Sequence, residues 1–138
     1  IEEAYSPMSV TVTLKDDLDI SRGDMIVKEN NVPIISQDLD LMICWMDSTN
    51  LKSRKKVIIK HTTNECMGMI TDILYKLDIN TLHSIKDSEN FKLNDMGRIK
   101  IRSSKPLFYD SYKKNRHTGS IILIDPYTNA TIAAGMII

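Results

Sequence analysis

Glycine and proline are scarce in this sequence, five and four among 138 residues, and the glycines stand singly. Their scarcity excludes flexible linkers and low-complexity tracts. No G-x-x-x-x-G-K-[ST] or G-x-G-x-x-G stretch exists, so the chain lacks the usual loops for cradling a nucleotide's phosphates. Two cysteines, Cys44 and Cys66, allow one disulfide at most, too few for a stapled secreted scaffold. A reduced, cytoplasmic compartment is the expected setting. Net charge is zero, so no global field draws the protein to nucleic acid or to a membrane surface. No apolar run approaches the roughly 20 residues needed to cross a bilayer, and no membrane partner is expected. Ile1-Glu2-Glu3 is neither a start methionine nor a basic leader. The chain therefore reads as a piece of a longer one.

What the sequence does contain is a period of two. Arg98-Ile99-Lys100-Ile101-Arg102 places bases on one face and isoleucines on the other, as a half-buried strand requires. Leu39, Leu41, Ile43 and Trp45 alternate with Asp40, Met42, Cys44 and Met46. Ser9 to Leu14, Val57 to Lys60, Ile121 to Ile124 and Ala130 to Ile138 are further runs of strand length. Met67 to Ile79 fits either period. Gly68 weakens a helix, and strand spacing collects more apolar positions (Met67, Met69, Ile73, Tyr75, Leu77, Ile79), so a long strand is expected. Asp125-Pro126-Tyr127-Thr128-Asn129 reads as a hairpin loop. Thr81 to Met96 is polar, with room for a short helical turn. Many short strands and little helix suggest a sandwich or closed barrel.

Glu29-Asn30-Asn31-Val32-Pro33 marks a boundary. The acidic piece before it is too short to fold alone. Residues 1–32 are expected to be the last strands of a preceding barrel plus a linker, and residues 33–138 a complete barrel.

The chemistry-bearing residues give no catalytic pattern. His61, Cys66 and Cys44 match no tight metal-ligand spacing. His117 has nearby hydroxyls in Ser111 and Ser120, but no third residue to complete a triad. Arg22-Gly23-Asp24 is most simply a tight turn. A basic series, Arg98, Lys100, Arg102, Lys105, Lys113, Lys114 and Arg116, has only Asp110 opposing it locally, and Lys52-Ser53-Arg54-Lys55-Lys56 adds a second cluster. A solvated strand face accounts for both. The sharper alternative is an anionic partner, either an acidic protein surface or a phosphate backbone.

Four stretches carry a resemblance: Asp19-Ile20-Ser21-Arg22-Gly23-Asp24, Tyr75-Lys76-Leu77-Asp78-Ile79-Asn80-Thr81, Asp110-Ser111-Tyr112-Lys113-Lys114-Asn115-Arg116-His117-Thr118-Gly119, and Ile124-Asp125 with Thr128 to Ile137. Together and in this order they resemble the C-terminal part of the large, GTP-hydrolysing subunit of bacterial sulfate adenylyltransferase. More remotely, the ending resembles the third domain of elongation factor Tu. The resemblance implies an all-β, six-stranded Greek-key barrel preceded by the end of a second barrel. It also implies a parent that drives adenylylsulfate synthesis from ATP and sulfate, a nucleotidyltransferase with GTP and magnesium in an N-terminal domain outside this sequence. For this chain it leaves a non-catalytic, supporting role with no cofactor of its own. The expected partners are the small catalytic subunit and the GTPase domain of the same chain. The expected interface is the basic connection, through Asp110, Tyr112, Lys113, Lys114, Asn115, Arg116, Thr118 and Gly119. An RNA-binding barrel of the translation-factor kind is the alternative, which the Asp78–Thr81 and Asp110–Gly119 motifs disfavour.

Overall fold

A computed structural model describes residues 2–86 and 91–138. Seven strands follow in order: β1 (Ile34–Trp45), β2 (Lys56–His61), β3 (Asn64–Leu77), β4 (Ser84–Ile85), β5 (Met96–Tyr109), β6 (Ser120–Ile124) and β7 (Thr131–Ile137). All pairings are antiparallel. The hydrogen-bonded order is β2-β6-β7-β1-β5-β3, and β2 also pairs with β3, which closes six strands into a barrel. β4 lies outside it, against the end of β3.

Closure follows from the alternation. On β1 the inward positions Leu39, Leu41, Ile43 and Trp45 are all buried. Val57 and Ile59 of β2, Ile99 and Ile101 of β5, Ile121 and Leu123 of β6, and Ile137 of β7 meet them in one core. Each strand thus turns one apolar face inward, and removing that area from water favours the barrel. Trp45 keeps its indole N–H satisfied by donating to the carbonyl of Thr49 at 2.8 Å.

β3 is the strand expected over Met67–Ile79, with its inward set corrected. Met67 and Met69 are 43% and 39% exposed, whereas Ile70 and Ile73 are buried. Register shifts between Ile70 and Asp72, and between Ile73 and Tyr75, change which parity faces the core. β5 likewise runs past Arg102 to Tyr109. Opposite Gln37 it makes an irregularity held by the Ser103 hydroxyl, which lies 2.7 Å from the Lys105 carbonyl and 3.2 Å from that of Gln37. Pro106, which has no ladder N–H to give, sits in this break.

The 125–129 turn is the expected hairpin connection between β6 and β7. Asp125 caps it by accepting from the amides of Tyr127 and Thr128 at 2.9 and 3.1 Å. The expected strand over Ser9–Leu14 is not formed. Residues 2–33 carry no strand, and Val12 stays 62% exposed. Alternation makes a strand only where a neighbour supplies the other half of the ladder, and among the described residues none does. The expected turn at Arg22–Asp24 is present: the Asp24 amide donates to the Ser21 carbonyl, and Gly23 has φ +105°. Asn64 Nδ2 reaches the Gly23 carbonyl at 2.9 Å and ties this turn to the start of β3. Residues 78–86 form a tight reversal into β4, and the short helical turn expected within 81–96 falls partly on residues outside the described ones. Phe91 further on is fully buried, and residues 87–90 lie outside the described residues.

Candidate functional site

Residues 110–119 join the end of β5 to β6 across one end of the barrel. Short hydrogen bonds fold this connection onto itself. The Lys114 and Asn115 amides both donate to the Ser111 carbonyl, at 2.9 and 3.0 Å, and the Gly119 amide donates to the Asn115 carbonyl at 2.8 Å. Asn115 Oδ1 accepts from the His117 amide at 3.0 Å, a side-chain turn typical of asparagine.

Asp110 staples the two ends. One carboxylate oxygen accepts from Lys114 Nζ at 2.7 Å and the other from the Thr118 hydroxyl at 3.0 Å. The Lys114 hydrogen bond foremost, with help from Thr118, holds the Asp110 carboxyl below its ordinary range against the opposing effect of burial. The barrel grips the connection at further points. Tyr112 donates its amide to the Ile137 carbonyl, Ile137 donates to the Gly119 carbonyl, and the buried His61 ring meets the Thr118 carbonyl at 2.7 Å.

Gly119 permits the closest approach. A Cβ there would lie 2.4 Å from both Cα and N of Tyr112, and those are backbone atoms that cannot swing aside. Only glycine fits.

The eight residues expected at the interface are therefore brought together, in three different roles. Asp110, Asn115, Thr118 and Gly119 build the loop. Lys114 is neutralised within it by Asp110. Lys113 and Arg116 stand exposed, and the Arg116 guanidinium lies 6.0 Å from the Tyr112 ring centroid. The longer basic series does not form one bare cationic face. Arg98 makes a two-pronged pair with Asp40 at 2.6 and 2.8 Å, and Arg102 pairs with Asp38 at 2.9 Å. The second cluster is split as well, because Lys55 turns to Asp125 at 3.2 Å and lies over Trp45. Sequence reading missed these acids because β1 delivers Asp38 and Asp40, and the β6–β7 turn delivers Asp125, from far along the chain.

Nothing in this arrangement resembles a hydrolytic centre. Ser120 gives its hydroxyl proton to the Arg116 carbonyl, not to His117. Burial pushes the Cys66 thiol up, away from the thiolate a nucleophile needs. Among the described residues there is no helix, and hence no glycine turn leading into a helix N-terminus to hold a phosphate.

The closed antiparallel barrel with this stapled end loop defines a class, the C-terminal barrel of the elongation-factor type. The family model described as GTP-eEF1A C-terminal domain-like matches residues 38–138, and the chain belongs to that family. Within it, the chain is 48% identical over its whole length to the bifunctional enzyme CysN/CysC of Mycobacterium tuberculosis, covering 23% of that protein. It is 42% identical, again over its whole length, to sulfate adenylyltransferase subunit 1 of Bacteroides thetaiotaomicron, covering 30% of it. The chain thus spans about a quarter of the length of the relatives it matches. Among solved structures, Sup35 complexed with GDP superposes with a TM-score of 0.70 over 80% of this chain and 27% of that one, at 15% identity, a likeness of fold.

Proposed function

We propose that this chain is the C-terminal barrel of the GTP-hydrolysing subunit of a sulfate adenylyltransferase. In that reading it supports synthesis of adenylylsulfate from ATP and sulfate without doing the chemistry itself. The observation that carries the reading is the whole-length identity of 42 and 48% to subunit 1 and CysN/CysC proteins. GTP and magnesium would then be held elsewhere in the parent. The 110–119 loop would make contact with the small catalytic subunit or with the GTPase domain of the same chain. What favours contact is the division of labour within the loop. Asp110, Thr118, His61 and Gly119 make it rigid, and that rigidity presents Lys113 and Arg116 at little entropic cost on binding. Residues 1–32, with Val12, Leu18 and Ile26 exposed, would complete a preceding barrel.

The test is charge reversal at Lys113 and Arg116 in the full-length subunit. GTP-stimulated adenylylsulfate synthesis and binding of the small subunit should both fall. If stimulation and binding are unchanged, the contact role of the loop is wrong. Steeply salt-dependent RNA binding that the same variants abolish would favour the translation-factor alternative.

A further inference from the structure

The outside of the barrel has two characters. Along β1 the outward residues are Asp38 and Asp40, then Met42 and Cys44, and β5 answers them in register with Arg102, Lys100, Arg98 and Met96. The first half is charged, with the ion pairs described above. The second half is apolar, and the apolar character continues sideways. In register, Cys44 faces Ala134 and Met42 faces Met136 on β7, and Ala134 faces Ile122 on β6. Met42, Cys44, Met96, Ile122, Ala134 and Met136 thereby line one shallow groove of about 290 Å³, which Tyr112 of the end loop also borders. The small Ala134 lies between the longer side chains of Met42, Met136 and Ile122. Ile122 is 39% exposed.

The groove has a basic margin. Arg116 lies over Tyr112 at one side, with Lys113 next in the loop. On the other, Lys60 of β2 stands across from Ile122. Arg116, Lys113 and Lys60 form no ion pair among the described residues, although Glu65 of β3 is the cross-strand neighbour of Lys60. Arg98, beside the groove, is already held by Asp40.

We propose that this groove is a docking seat for a protein segment carrying apolar side chains flanked by carboxylates. The apolar floor supplies area to remove from water and the unpaired cations supply the sign of the complement. Three flexible methionines let the floor adapt to its occupant. Nucleic acid fits worse: the margin offers one tyrosine, already covered by Arg116, and no stacking platform for successive bases. The inference deepens the contact reading above by naming what the surface beside the loop recognises.

The methionines make the test direct. The methionine methyls of the 138-residue chain are followed by NMR during titration with a short synthetic peptide of alternating leucine and glutamate. The Met42, Met96 and Met136 methyls should shift and saturate. Met67 and Met69, on the outward face of β3, should stay in place and report an intact fold. Arg116→Glu should weaken the response about tenfold, and Ala134→Arg should abolish it by filling the floor. Silence of the three groove methyls overturns the proposal. So does an equal response to a leucine–lysine peptide, a response to single-stranded RNA instead, or a shift on simple concentration of the protein, which would mark a self-contact. Because the groove is read without any enzyme assay, its failure is distinguishable from failure of the proposed function.

Discussion

The ring of His61, buried where β2 ends, holds the carbonyl of Thr118 at 2.7 Å, 57 residues further along the chain. A carbonyl only accepts, so Nε2 carries the proton and donates. Among the described residues Nδ1 is buried with no partner. One side chain thus ties a hairpin on one side of the barrel to the loop proposed as the contact site. His61→Leu should remove the donor, cost about 1–3 kcal/mol in denaturant unfolding, and speed amide exchange across 115–119. His61→Gln, which keeps an N–H of similar reach, should recover part of both losses.

Gly119 sets a steric limit. Gly119→Ala would drive a methyl into the Tyr112 backbone. Unfolding should be easier by about 1–3 kcal/mol, and the loop's contribution to partner binding should fall with it. A glycine-to-alanine change in an unstrained site with open space would do the opposite, so the sign of the effect checks the geometry.

Acid should loosen the staple. The folded-state pKa of Asp110 lies below its ordinary value of 3.8. Its stabilising contribution is therefore complete above about pH 4 and is lost as pH falls through the lower, folded value. Asp110→Asn should melt below the native protein at neutral pH. That gap should shrink on acidification below about pH 4. Melting curves of both proteins across this range give the measurement, and a gap that widened in acid would contradict the assignment.

The two kinds of arginine should respond differently to charge reversal. Arg98→Glu sets a second carboxylate beside that of Asp40 and should lower stability, and the exchange of both residues (Asp40→Arg with Arg98→Glu) should restore it. Arg116→Glu has no such carboxylate to repel and should leave the melting temperature near native while weakening partner binding. Thermal melts and a binding assay on the same set of variants separate these effects.

The strands were legible because inward and outward residues alternate with period two over most of their length. β1 is the clearest case, with the alternating Leu39, Leu41, Ile43 and Trp45 all buried. β3 was only half legible. Its existence followed from Gly68 and the apolar count, but the two register shifts that expose Met67 and Met69 leave no mark in local spacing. The loop's residues were found by their motif and their charge. Their roles could not be, because Asp38, Asp40 and His61 meet Arg102, Arg98 and Thr118 only after the sheet closes. A cationic run in sequence says nothing of the anions that a neighbouring strand will lay beside it.

The ring of strands is not equally well sewn all round. β1 and β5 share ten paired positions, but β2 and β6 meet at only three, Ile58 with Ile124, Ile59 with Leu123 and Lys60 with Ile122. A cylinder under strain parts along its thinnest seam, and here that seam passes beside the apolar groove. Any partner seated across β6 and reaching Lys60 would act as a clasp over the join, so that holding the partner and holding the cylinder shut would be a single act.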